Sequence, residues 1–149
     1  AMALLDLALF DTNVATWDTK SHSSRWRPIH ALREGGFGVA PDPDWTPLLP
    51  PPPHPEHLAG HPAPSMAAAL VVTALLGGPV PVGYRGLPFT GPATPIGMRR
   101  FASPVEAARE CGESRIWVGA HFRTTDEHSV RLAEATARRV LETQLLPLA

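Results

Sequence analysis

The sequence predicts an all-α fold, a helical bundle whose helices are joined by long loops rich in proline and glycine. Three observations predict it. Three stretches are apolar at helical spacing or throughout, a fourth carries helix-start signals, and no stretch alternates apolar with polar residues as a half-buried strand does. The 18 prolines and 12 glycines gather between the helical stretches. The 149 residues suffice for one core, burying roughly two-thirds of the unfolded surface, so residues 1–149 read as a single domain.

The first helix runs from Ala1 to about Lys20, with Leu4, Leu5, Leu7, Ala8, Val14 and Trp17 as its apolar residues and no proline or glycine inside. It begins on Ala1-Met2-Ala3-Leu4, already apolar and without a cap, as in a chain cut from within a longer protein. Helix weakens near Pro28, because a residue before proline is pushed out of the α region. From Gly35 to Pro64 proline, glycine and aspartate dominate, including Pro50-Pro51-Pro52-Pro53-His54-Pro55, which favours polyproline geometry. A loop this long within a compact domain is usually functional or a linker. It leads into Met66–Leu76, apolar on every side and so a central buried helix, with Pro62 and Pro64 fitting its first turn. A second loop, Gly77 to Gly97, precedes a short helix over 103–110 with Ser103 as N-cap, Pro104 next and Glu106 in the first turn. The last helix, about Asp126 to Leu146, turns Val130, Ala133, Ala137, Val140 and Leu141 to one face. Trp17, Trp26 and Trp117 read as core packing, and Cys111 as a small buried hydrophobe.

Charge and cysteine content narrow the function. A net charge of -1 leaves no broad basic footprint for nucleic acid. The single cysteine offers neither an internal disulfide nor a thiolate metal site. The longest apolar run, Met66 to Leu76, is too short to cross a bilayer, and no secretory leader opens the chain, so its location is unknown from sequence. The cations are unusual in kind: 12 of the 13 are arginine, and Lys20 is the only lysine.

Three segments carry candidate chemistry: Lys20-x6-Arg27-Pro28, Ala59-Gly60-His61 and Ser114-Arg115-x5-His121. Each alone has a plain reading, such as a cation complementing a helix C-terminus. Together they are complementary to one tetrahedral oxyanion. Arg27 and Arg115 are planar two-pronged donors, and Lys20 is a compact charge with three donors. Gly60 allows close approach at a helix N-terminus, while His61 and His121 are the groups able to move protons or attack near neutral pH.

In order and spacing these segments resemble the three-part signature K-x6-R-P, P-S-G-H, S-R-x5-H of the vanadium-dependent haloperoxidases and type 2 phosphatidic acid phosphatases. The resemblance covers Leu4 to about Leu141 and is strongest to the soluble haloperoxidase-like branch, through Trp26-Arg27-Pro28, Asp42 to Pro47 and Pro53-His54-Pro55-Glu56. It implies the C-terminal catalytic half of that fold. Lys20, Arg27, Arg115 and the Gly60 N–H would hold vanadate or phosphate. His121 would bind vanadium, or form a phosphohistidine in a phosphatase, and His61 would be the acid/base. The substrates implied are hydrogen peroxide with a halide, or a phosphate ester. The pattern is broken at Leu58-Ala59, where the family has Pro-Ser; a hydrogen bond to a charged group is worth about 1.5–3 kcal/mol, and Ala59 cannot make it. Ser65 is a candidate substitute one turn on, and Asp126 a candidate to orient His121.

Family members carry helices before the first segment, including the acidic partner of the acid/base histidine. That leaves a preceding half, or a second copy of this chain in a homo-oligomer, to cover the core. Three functions stay open on sequence: a vanadate-dependent haloperoxidase, an acid phosphatase, or a degenerate fragment without turnover. Two smaller readings concern His54. His54, His57 and His61 make a weak zinc alternative, opposed by the intervening prolines and glycine. A histidine seven residues before the acid/base is also a feature of bromoperoxidases, where an aromatic accompanies chloride.

Overall fold

The computed structural model describes residues 1–36, 38–85 and 98–146. The described residues form five helices and one small ribbon: α1 (Met2–His22), α2 (Pro28–Glu34), α3 (Pro62–Leu75), β1 (Val82–Arg85), β2 (Met98–Phe101), α4 (Pro104–Trp117) and α5 (Arg123–Thr143). The fold is mostly helical, as the sequence predicts. Two elements depart from that expectation. The short α2 starts on Pro28 itself, because a proline that ends one helix also suits the first position of another. The antiparallel ribbon pairs Val82 with Phe101 and Gly83 with Arg100, and its four-residue strands are too short to show alternation. Residues 86–97 of the expected second loop lie outside the described residues.

Proline and glycine set the boundaries of α3. His61 is its N-cap and Pro62 its first residue, so the missing proline N–H lies where no helical bond is owed. Its end is a Schellman turn: Gly77 adopts φ +74°, its N–H meets the Ala74 carbonyl at 3.2 Å, and the Gly78 N–H meets that of Thr73 at 3.0 Å. Helix α4 begins as expected, with the Ser103 hydroxyl accepting from the Glu106 N–H. It runs on to Trp117, well beyond the expected end at Glu110, because no proline intervenes.

Helix α3 is the centre of the bundle and packs against α1, α4 and α5, while α1 also lies along α5. Met66, Ala67 and Ala69 of α3 meet Ala108 of α4 and Ala133 of α5. Ala8 of α1 meets Val71, Ala137 and Val140 in a second cluster, with Leu70 packed against both. Most of these contacts are alanines, so the helices approach closely and large apolar side chains are pushed outward. The tryptophans show it. Trp17 is 52% exposed, Trp26 37% and Trp117 65%, which overturns their reading as core packing. Helix α1 explains the error for Trp17: the side it turns to α3 and α5 carries Ala8, Thr12, Thr16 and Lys20, and Trp17 lies off that side.

Buried Met66 and exposed Trp117 therefore differ in what they hold up. Met66→Ala is expected to lower unfolding free energy by about 2–4 kcal/mol. Trp117→Ser is expected to change it by less than about 0.5 kcal/mol, both read from urea denaturation.

Candidate oxyanion site

Lys20 ends the inward-facing stripe of α1, following Ala8, Thr12 and Thr16 at four-residue steps, and is 2% exposed. After His22 the chain leaves the helix in an extended conformation and reaches Arg27, the N-cap of α2, which is 3% exposed. The Lys20-to-Arg27 spacing is thus a helix end, an extended crossing and a helix start.

Both cations turn to one strip of loop. Lys20 Nζ donates to the carbonyls of Pro55 at 2.8 Å and Glu56 at 3.2 Å. Arg27 donates to the His54 carbonyl from Nε at 3.2 Å and Nη2 at 3.1 Å, and to the Ala120 carbonyl from Nη1 at 2.8 Å. Lys20 keeps one of its three donors and Arg27 at least one of its five.

The Arg115-to-His121 spacing also has a structural cause. Gly119 takes φ +76° and closes α4 in a Schellman turn: its N–H meets the Ile116 carbonyl at 2.9 Å, and the Ala120 N–H meets that of Arg115 at 3.0 Å. The His121 N–H bonds the same Arg115 carbonyl at 3.2 Å. Arg115 is therefore fixed in the last turn of α4, and His121 directly after the turn that closes it. A Cβ at Gly119 would lie 2.8 Å from the Trp45 ring and 2.9 Å from Pro47 Cβ, so glycine is required for space as well as for φ.

His121 is 4% exposed, and its Nδ1 lies 3.0 Å from Glu56 Oε1. The same oxygen accepts the Phe122 N–H at 3.0 Å, and Oε2 accepts the Thr125 hydroxyl at 2.7 Å. Arg25 Nε stands 3.8 Å from Oε2. Sequence reasoning gave Glu56 no role: it entered only within the Pro53-His54-Pro55-Glu56 text of the resemblance, and it sits 65 residues from His121. Asp126, the expected orienting carboxylate, points elsewhere. It lies against Gly112, and its Oδ1 has no hydrogen-bond partner among the described residues.

Electrostatics tie the remaining residues to this centre. Burial lowers the Lys20 pKa from 10.5 to about 8, assisted by the Arg27 charge and opposed by Glu56. Burial lowers that of Arg27 too, against the pull of Glu56 and with the Arg115 charge adding to the fall. The Arg115 Nε is buried without an acceptor among the described residues. His61 has its pKa lowered by burial and then by Arg115. His121 is lowered by burial, which outweighs the hydrogen bond and charge of Glu56. Burial alone would raise Glu56, but the bonds from His121, Thr125 and Phe122 hold it below the ordinary carboxylate range.

The arrangement thus gathers Lys20, Arg27, Arg115, His61 and His121, with Glu56 the carboxylate that faces them. A guanidinium nitrogen without an acceptor among the described residues and two desolvated cations bonded only to neutral groups suit a multivalent anion. Gly60 suits it too: a Cβ there would meet nothing within 4 Å, so the space before its backbone is open. Two other expectations change. Ser65 donates to Cys111 Sγ at 3.4 Å, so its hydroxyl faces α4 and does not replace the missing serine. Ala59 is fully buried, and its N–H donates to Ser129 Oγ at 2.9 Å. The imidazoles of the zinc reading diverge. His54 stacks edge-on to Trp17, His57 faces His128 and Thr125, and His61 lies under the Arg115 field.

Residues 1–146 match the family described as the VCPO second helical-bundle domain. Among solved structures the chain is similar to the first bacterial vanadium-dependent iodoperoxidase, with a TM-score of 0.81 and 28% identity over 93% of this chain and 32% of that one. It also matches a holo-type bacterial vanadium-dependent chloroperoxidase at TM-score 0.74 and 22% identity, covering 95% of this chain and 34% of that one. The corresponding apo-type structure gives 0.66 and 22%, covering 95% and 36%. At 22% identity the shared property is the fold. The chain spans about a third of the length of these structures. No curated protein matches it.

Two outcomes follow from the geometry. Gly119→Ala is expected to cost about 1–3 kcal/mol of stability, read by denaturant unfolding, because it meets both a left-handed φ and the Trp45 ring. Lys20 has a folded pKa near 8 against 10.5, so between those values the unfolded chain binds more protons and stability rises with pH. Its penalty is complete below about 8 and relieved toward 10.5. Thermal melts of the anion-free protein across that window are expected to rise relative to those of Lys20→Met.

Proposed function

The chain belongs to the vanadium haloperoxidase superfamily, in its second helical-bundle domain family, and from that premise we propose that it holds vanadate in the cation cluster and acts as a haloperoxidase. The observation that carries the reading is the pair of buried cations Lys20 and Arg27 beside half-buried Arg115, whose buried Nε has no acceptor among the described residues. Lys20, Arg27, Arg115 and the Gly60 N–H hold the anion's oxygens, and His121 presents Nε2, since Nδ1 is engaged by Glu56. Vanadate, when bound, supplies the Lewis-acid centre that activates hydrogen peroxide toward halide.

The chain's own residues account for the rest. The three cations fix the anion's orientation and neutralise its charge in a desolvated site, where such donors count for more than in water. His121, whose pKa burial lowers, offers a ring-nitrogen lone pair in its neutral form. His61, with a pKa below the ordinary histidine value, is free to accept a proton near neutral pH and return it. Ala59 gives no hydroxyl to the anion, so affinity rests on the charged donors. Among the described residues no helix is long and apolar enough to cross a membrane, and the proposed substrates are small: peroxide and a halide.

Assays of the purified protein with and without orthovanadate test this. Bromination that needs both vanadate and peroxide is expected, falling at least about 100-fold in Lys20→Met and in His121→Ala. Vanadate at a hundredfold excess over its Kd is expected to stabilise the protein by about 2.7 kcal/mol. Hydrolysis of p-nitrophenyl phosphate that vanadate inhibits, without bromination, would assign the pocket to a phosphohistidine phosphatase instead. The absence of turnover and of any vanadate-induced shift in Tm would mark a degenerate fragment.

A further inference from the structure

We propose that Glu56 is the positioning residue for His121, fixing its ring in the Nδ1–H tautomer so that Nε2 is unprotonated and aimed at the anion. The proposal rests on the reading of His121 as the group that meets the oxyanion. Three features of the geometry carry it.

The first is the bond itself: Glu56 Oε1 lies 3.0 Å from His121 Nδ1. An ionised carboxylate only accepts hydrogen bonds, so Nδ1 must be the nitrogen that carries the proton in a neutral ring. A free neutral imidazole prefers the opposite tautomer, with the proton on Nε2, where it would block attack or ligation. The carboxylate therefore reverses an intrinsic preference.

The second is that Glu56 is itself immobilised from several sides. Its side chain is completely buried, and it accepts from the Thr125 hydroxyl at 2.7 Å and the Phe122 N–H at 3.0 Å. Arg25 Nε adds a positive charge 3.8 Å from the same carboxylate. The Phe122 bond matters because Phe122 follows His121: one oxygen, Oε1, holds both the ring and the backbone next to it. Rotation of the imidazole would break the bond to Oε1.

The third is coupling to the cations. The Glu56 carbonyl accepts from Lys20 Nζ at 3.2 Å while its side chain holds His121. One residue thus sets the relative position of a charged donor and of the ring. The Arg27 bond to the Ala120 carbonyl at 2.8 Å fixes the chain on the other side of His121. The general counterpart is a metal-ligating histidine whose far nitrogen donates to a carboxylate, where loss of that partner usually costs 10- to 100-fold in affinity.

The test separates this proposal from the anion-site reading by measuring the histidine without vanadate. Nitrogen-15 NMR of the wild-type protein is expected to show His121 as the Nδ1–H tautomer. Glu56→Gln, which keeps an acceptor oxygen of the same reach, is expected to retain that tautomer, and Glu56→Ala to lose it. Orthovanadate affinity is expected to fall about 10- to 100-fold in Glu56→Ala and to recover substantially in Glu56→Gln. Thr125→Val keeps Glu56 and removes one of its anchors, and it is expected to weaken vanadate by a smaller factor, which serves if Glu56→Ala does not fold. A wild-type His121 protonated on Nε2, or a tautomer unchanged in a folded Glu56→Ala, would overturn the proposal. If the tautomer is as stated but wild-type protein binds no orthovanadate, Glu56 still positions His121 and it is the anion-site reading that falls.

Discussion

The structure around the site depends on three consecutive loop residues, His54, Pro55 and Glu56, to which buried charges are tied. The two largest fully buried side chains among the described residues are Lys20 and Glu56, both ionisable. Removing a charge from water costs several kcal/mol even after relaxation, and the alanine-rich core has little large apolar area with which to offset two such costs. The loop reduces the penalty by presenting its own main chain: the His54, Pro55 and Glu56 carbonyls accept from Arg27 and Lys20. A proline-rich segment suits this role because each proline withdraws an N–H that would otherwise compete for acceptors, and it stiffens the chain that presents them. Carbonyls are dipoles, however, and they solvate a cation without cancelling its charge. The lowered pKa of Lys20 records that shortfall.

The motif spacings are consequences of how helices begin and end. Arg115 and His121 are the two ends of a Schellman turn: the Arg115 carbonyl accepts from both Ala120 and His121, and Gly119 supplies the left-handed residue that lets the chain return. Lys20 and Arg27 flank a helix exit and a helix start, with Pro28 ready-made for the first helical position. A residue inserted into either interval would displace one cation relative to its partner, so the spacing is as constrained as the residue types.

Much of this was legible in the sequence, for a definite reason. Lys20, Arg27, Gly60, His61, Arg115 and His121 stand in three short segments whose spacing is local, and the pattern requires only that the segments meet. What local order could not reveal was contact across the fold. Glu56 reaches His121 over 65 residues. Asp126 follows His121 closely in sequence, yet α5 rotates by about 100° per residue, so the neighbouring Thr125 faces Glu56 while Asp126 turns to Gly112. The tryptophans were misread for a related reason: exposure is decided by what lies against a helix, and α1 turns the largely polar stripe Ala8, Thr12, Thr16 and Lys20 to the bundle while Trp17 stays outside. Helix ends were legible where proline or a Ser cap marked them, and less so at α4, whose continuation from Glu110 to Trp117 has no punctuation of its own.

The substitution at Ala59 bears on how such a site tolerates loss. A serine hydroxyl there would add one hydrogen bond to a charged group, about 1.5–3 kcal/mol. The three cations act differently: each donates hydrogen bonds and also contributes a charge that is little screened in a desolvated pocket. On the oxyanion reading, removing the hydroxyl weakens the anion's hold while leaving its charge balance untouched, whereas removing a cation changes both. The same logic applies to His121, because no cation selects which ring nitrogen faces the anion. That selection falls to the one carboxylate among them, and Glu56 is held by a hydroxyl, a backbone N–H and a nearby arginine so that it has a single arrangement to offer. Affinity and reactivity are thus divided between two layers of the same pocket, and a site can lose part of the first while the second still aims the ring.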